Sequence, residues 1–204
     1  MINKIKTSAY ASFDIEADGN NPIQHSMRSI GVALFTEGNI KPIATFYKTL
    51  EPQLNTRPEK KCIESFWNRF PQKWEEVNTN TITPRQAMSE LSDWLKKISV
   101  KFSIKWVASP SNFDWMFLKC YYEKYGQPGK YDIGFFCHDL SSLLRSFIIT
   151  KNVQDKKTFL LNLSNNQQCN HNALDDAICQ GVTYINLRAL LTFNKFSSWI
   201  FLRR

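Results

Sequence analysis

The chain has 204 residues, 43% hydrophobic and 22% charged, which excludes a disordered chain and suffices for a single domain with a real core over 1–204. Lysine and arginine number 26 against 18 acids, and the formal charge of +8 favours a polyanionic partner, nucleic acid before a membrane surface. The five cysteines (Cys62, Cys120, Cys137, Cys169, Cys179) are widely spaced without a C-x-x-C pair, which argues against a zinc site or a disulfide framework. The first residues lack the apolar centre of a signal peptide, and no run approaches the ~20 apolar residues of a membrane span. A soluble, intracellular, cytoplasmic protein is expected.

Residues 10–13 predict a strand that runs into S-F-D-I-E-A-D-G (12–19), followed by the turn G-N-N-P (19–22). Residues 27–35 predict a second strand and 40–50 a third, joined by short turns, so the first three strands form an antiparallel meander. Residues 51–57 read as a loop. The aromatic stretch 62–74, broken by Pro71, reads as a short helix over the sheet edge or a flap beside a site. Thr83-Pro84 opens a helix whose apolar residues Ala87, Met88, Leu91, Trp94, Leu95 and Ile98 recur at helical spacing. A short strand follows at 104–108, then a helix from about Trp115 to Tyr125 that ends at Gly126. Residues 127–136 read as a loop, 138–149 as a helix, and 151–170 as a long polar connection. The last strong helix spans about 172–191, and the aromatic, basic tail 193–204 reads as a terminal helix packed on the domain.

Three sites carry the acids. On a strand, side chains at i and i+2 share a face, so Asp14 and Glu16 present paired carboxylates that repel and lose water as the sheet packs. A hard divalent cation relieves both costs, because it prefers oxygen ligands. Asp114 follows the 104–108 strand at the start of a helix, where open α/β sheets place functional groups, although a capping aspartate accounts for it as well. In H-N-A-L-D-D-A (171–177), Asn172 can cap a helix, with His171 on the loop before it and Asp176 in its first turns. Asp175 and Asp176 diverge by ~100°, so only one of them faces inward.

In that order, D-x-E, D and H-x-x-x-x-D resemble the DEDDh 3′-5′ exonucleases of the ribonuclease H-like superfamily. That group includes proofreading exonucleases, ribonuclease T and oligoribonuclease. The motifs stand as F-D-I-E-A-D-G, S-N-F-D and H-N-A-L-D-D-A over roughly 9–191. H-x-A-x-x-D is the most specific of them. S-N-F-D and the Phe66-Trp67 segment look nearest to the phage-type and compact bacterial exoribonuclease branches. Two departures stand out: Ala17-Asp18 precede Gly19 where the family often has Thr, and Pro110 stands where Asn often precedes the middle Asp by four.

The resemblance implies an α/β, ribonuclease H-like mixed sheet of about five strands flanked by helices. It implies two Mg²⁺ or Mn²⁺ ions about 4 Å apart, with Asp14, Glu16, Asp114 and Asp176 as metal ligands and His171 as general base. Substrate contacts fall on Ala17 and Gly19, with Phe113 and Trp115 as candidates to stack on a terminal base, or else as plain core. The implied reaction trims single-stranded or overhanging 3′ ends of RNA or DNA to nucleoside 5′-monophosphates, and a homodimer is compatible with it. The alternative, a catalytically inactive nucleic-acid-binding module on the same fold, is opposed by the intact set of four acids and His171. A nuclease that acts only in a larger assembly joined through the tail is a weaker alternative.

Overall fold

A computed structural model describes residues 6–201 along the backbone, with side chains over 6–192. In chain order the elements are β1 (Thr7–Ala17), β2 (Met27–Thr36), β3 (Ala44–Thr49), α1 (Lys60–Ser65), a 3₁₀ turn (Trp67–Arg69), α2 (Pro71–Val77) and α3 (Pro84–Ser99). There follow β4 (Phe102–Ala108), α4 (Ser111–Tyr125), β5 (Cys137–Asp139), α5 (Leu140–Thr150), α6 (Lys156–Leu163) and α7 (Ala173–Phe201). The five strands form one mixed sheet in the order β3-β2-β1-β4-β5, the first three antiparallel and β4 and β5 parallel to β1. The expected sheet is therefore present, with β1 at its centre.

β1 sorts its side chains by the two-residue period of a strand. Ala9, Ala11, Phe13, Ile15 and Ala17 enter the larger apolar cluster, with Met88 and Leu91 of α3 and Phe117, Leu118 and Tyr121 of α4. On the other face Tyr10 joins Ala33 and Phe35 of β2 and Val182, Tyr184 and Ile185 of α7 in a smaller cluster. α7 lies close enough to β2 that two positions require glycine. A Cβ on Gly31 would stand 2.3 Å from the backbone of Ala173 and Leu174, and one on Gly181 would stand 2.1 Å from the Phe35 ring.

Several boundaries differ from the expected ones. β3 begins at Ala44 because Pro42 has no N–H for the ladder. The stretch 62–74 is not one short helix: it divides into α1, the 3₁₀ turn and α2, with Pro71 at the first position of α2. α4 starts at Ser111 and not at Trp115, so Asp114 sits in its first turn. α5 begins at Leu140 because Asp139 caps it, accepting from the Ser142 N–H, and His138 lies in β5. The connection 151–170 contains α6, capped by Asp155 and anchored by Leu163 and by Phe159, which stacks on Phe147 with centroids 5.5 Å apart. α7 continues unbroken to Phe201, past the expected end at 191. Packing of the tail 193–204 lies outside the described side chains. No described helix is long and apolar enough to cross a membrane.

Candidate active site

Asp14 and Glu16 project from the end of β1 on the face away from the larger cluster, and Asp14 is paired in register with Gly31. The bare Gly31 position lets the start of α7 come down beside them. There Asn172 caps the helix, its Oδ1 accepting from the N–H groups of Leu174 (3.0 Å) and Asp175 (3.2 Å). The loop before the cap folds back on Asp176, whose carboxylate accepts from the Asn170 N–H at 2.8 Å and the His171 N–H at 3.3 Å. His171 makes this turn on left-handed backbone, φ 61°. One helical turn past Asp176, the Gln180 side chain donates to Asp14 Oδ1 at 2.8 Å.

The middle acid arrives from the helix on the opposite face of the sheet. Asp114 follows β4 in the first turn of α4 and accepts from the Ile15 backbone N–H, which ties α4 to β1 between Asp14 and Glu16. Pro110 precedes α4 without a side-chain cap, and Asp139 supplies one from β5: its Oδ1 accepts from the Ser111 N–H at 2.9 Å. The same carboxylate accepts from Ser142, so it seats the starts of both α4 and α5.

These acids crowd one another. Glu16, Asp114 and Asp176 are 7%, 3% and 5% exposed. Burial first, then the charges of Asp114, Glu16 and Asp176, push Asp14 well above the usual carboxylate range. Burial, with Asp176 and Asp114 nearby, pushes Glu16 up to about 8, and Lys73 of α2 opposes this. Burial pushes Asp114 up to about 7 against two backbone N–H donors, and burial also raises Asp176.

A divalent cation fits this donor set. Carboxylate oxygens of Glu16 and Asp176 lie within 4.8 Å of each other, with a His171 ring nitrogen within that distance of both, and Asp114 Oδ2 is buried with no hydrogen-bond partner. Hard oxygen donors that repel in its absence are what such a cation satisfies.

The His171 ring packs against Phe66 and Phe70, with centroids 4.8 and 4.3 Å away. Phe66 also borders a cavity of about 260 Å³ together with Glu16, Ala17, Gly19, Cys62 and Phe113. Three of the four expected substrate contacts, Ala17, Gly19 and Phe113, therefore share one cavity. Trp115 does not border it. Two residues along a helix turn the side chain by ~200°, and Trp115 packs instead on Phe13 (6.0 Å) and Trp106 (5.9 Å).

Gln180, Asp139 and Gly31 were not among the expected site residues. Only Gln180 carried a signal, its four-residue spacing from Asp176 on one helix face.

Residues 9–186 match the 3′-5′ exoribonuclease Rv2179c-like domain family. No curated protein matches the chain. Among solved structures, the nuclease domain of 3′hExo, a DEDDh family member bound to rAMP, superposes with TM-score 0.58 at 17% identity, covering 90% of this chain and 91% of that one. S. pombe Pop2p in its Mg²⁺- and Mn²⁺-bound form gives 0.54 at 14% identity, over 88% and 82% of the two chains. The zinc-bound E. coli ExoI–ssDNA complex gives 0.62 at 12% identity, over 90% of this chain and 41% of that one. Likenesses this distant speak for the ribonuclease H-like fold; the family match speaks for the activity. The chain belongs to the 3′-5′ exoribonuclease Rv2179c-like domain family, and is a 3′-5′ exonuclease.

Proposed function

We propose that this exonuclease trims single-stranded or overhanging 3′ ends, RNA before DNA, and releases nucleoside 5′-monophosphates. The supporting observation is the buried convergence of Asp14, Glu16, Asp114 and Asp176 with His171 beside them. The four acids would hold two Mg²⁺ or Mn²⁺ ions, which when bound supply positive charge to the attacking and leaving oxygens of a phosphodiester.

The chain's own groups do the rest. His171 accepts the proton of the attacking water, because imidazole suits that task near neutral pH. Its ring is oriented by Phe66 and Phe70 on one side and by its own backbone bond to Asp176 on the other. Gln180 holds one Asp14 oxygen, leaving the second for a cation. The cavity bordered by Ala17, Gly19, Phe66 and Phe113 receives the terminal nucleoside, where Phe113 offers a ring to the base. The +8 charge draws in the phosphate backbone and makes binding weaken with salt. The family's description favours RNA.

The test digests 5′-labelled and 3′-labelled RNA and DNA strands, single and with overhangs, in Mg²⁺, Mn²⁺ or EDTA. Shortening from the 3′ end to 5′-monophosphates, abolished by EDTA and by Asp14→Ala, is expected. Products with 3′-phosphates, or full activity in EDTA, overturn the proposal. Cation-dependent thermal stabilisation without turnover on any strand would favour the inactive binding module.

A further inference from the structure

Two thiols that take no part in the chemistry above meet at the back of the site. Cys169 Sγ and Cys179 Sγ are 3.8 Å apart. Cys179 is buried on α7, three residues past Asp176 and next to Gln180; its thiol also points to the Gln167 carbonyl oxygen at 3.8 Å. Cys169 is exposed, on the loop between α6 and α7, and it directly precedes Asn170 and His171. The pair therefore joins an exposed residue to a buried one, and the loop it would tether is the one whose N–H groups hold Asp176.

We propose that Cys169 and Cys179 form a thiol-modification site, in which a peroxide closes a disulfide that switches the exonuclease off. The consequence for activity rests on the exonuclease function; the disulfide itself does not. In the first step the Cys169 sulfur attacks hydrogen peroxide, the O–O bond breaks, and a sulfenic acid and one water result. The Cys179 sulfur then attacks the sulfenic sulfur; the S–S bond forms as the S–O bond breaks, and the hydroxyl leaves with the Cys179 proton as a second water. Two thiols are oxidised and one peroxide is reduced.

A disulfide holds its sulfurs about 2.05 Å apart, so the pair must close by about 1.8 Å. That movement is carried by the loop, since Cys179 sits on a helix packed against the sheet. Asn170 and His171 follow Cys169, so their bonds to Asp176 and the packing of the His171 ring on Phe66 and Phe70 are displaced together. Disturbing groups that orient a metal ligand typically costs about 10–100-fold in activity or metal affinity, and a loss of that size is expected here.

The experiment treats the reduced, full-length protein with hydrogen peroxide and follows nuclease rate, free thiols and non-reduced peptides by mass spectrometry. Expected are a cross-linked 169–179 peptide, a fall from five free thiols to three, a 10–100-fold loss of rate, and recovery with dithiothreitol. Cys169→Ser and Cys179→Ser should each match the reduced wild type in rate and resist peroxide. The proposal is overturned if no such peptide forms, if it forms without change in rate, or if Cys169→Ser is inactivated as fast as wild type, which would point to Cys62 beside the cavity. The peptide map needs no turnover, so a protein inactive on every strand would count against the nuclease function while the map still decides the thiol pair.

Discussion

The two faces of β1 are built on opposite principles. One presents Ala9, Ala11, Phe13, Ile15 and Ala17 to the larger core, and Phe13 is fully buried in a ring of Trp106 and Trp115. The other becomes steadily more polar along the strand: Tyr10 against Tyr184, then the buried Ser12 hydroxyl without a partner, then Asp14 and Glu16. A strand can carry mutually repelling acids at its end because its opposite face fixes the backbone independently of them. Burying a side chain such as Phe13 contributes about 1.5–3 kcal/mol, and none of that depends on what occupies the acidic side. As far as Phe13, chemistry and stability should accordingly separate by face; beyond it Ile15 and Ala17 also border the cavity.

Replacing His171 with Ala tests the acidic side most severely. Loss of a general base lowers kcat by about 10²–10⁴-fold, while Mn²⁺ affinity and melting temperature stay near wild type. Retained kcat removes His171 from its role, and so does a loss of rate that tracks unfolding. Phe13→Ala probes the other face: a denaturant midpoint reporting about 3–5 kcal/mol of lost stability is expected, with turnover per folded molecule largely kept. If turnover collapses while the protein remains folded, the faces are not separable.

The smallest effect concerns pH. Folding raises Glu16 from an ordinary 4.5 to about 8 and Asp114 from 3.8 to about 7. Between those limits these two groups bind more protons in the folded than in the unfolded protein, so without cations their contribution to stability is complete in acid and is lost as pH rises from about 4 towards 8. Thermal unfolding in EDTA from pH 5 to 8 should show a declining midpoint, by about 2–4 °C for each kcal/mol involved. Mg²⁺ should restore more at pH 8 than at pH 6, because ligands bind metal deprotonated. A midpoint flat with pH contradicts the crowding of the acids.

Much of this was legible in the residues because it is local. The i, i+2 spacing put Asp14 and Glu16 on one face, and Asn172 announced the start of α7. The unread parts are those decided by partners distant in sequence. α4 begins at Ser111 because Asp139, 28 residues away, caps it. Gln180 reaches Asp14 across 166 residues, and its role is invisible until helix and strand are laid together. α6 escaped because four apolar residues in a polar segment make a weak period, which Asp155 and the Phe147–Phe159 stack convert into a helix.

Gly31 offers no group to nucleic acid or cation, yet nothing larger fits between β2 and the backbone at Ala173–Leu174. A complete map of tolerated substitutions would therefore mark this position as indispensable, alongside the acids themselves. Read naively, such a map would enrol Gly31 among the reacting groups. What it would be recording is a spacing between two backbones, for which the missing methyl is the informative part.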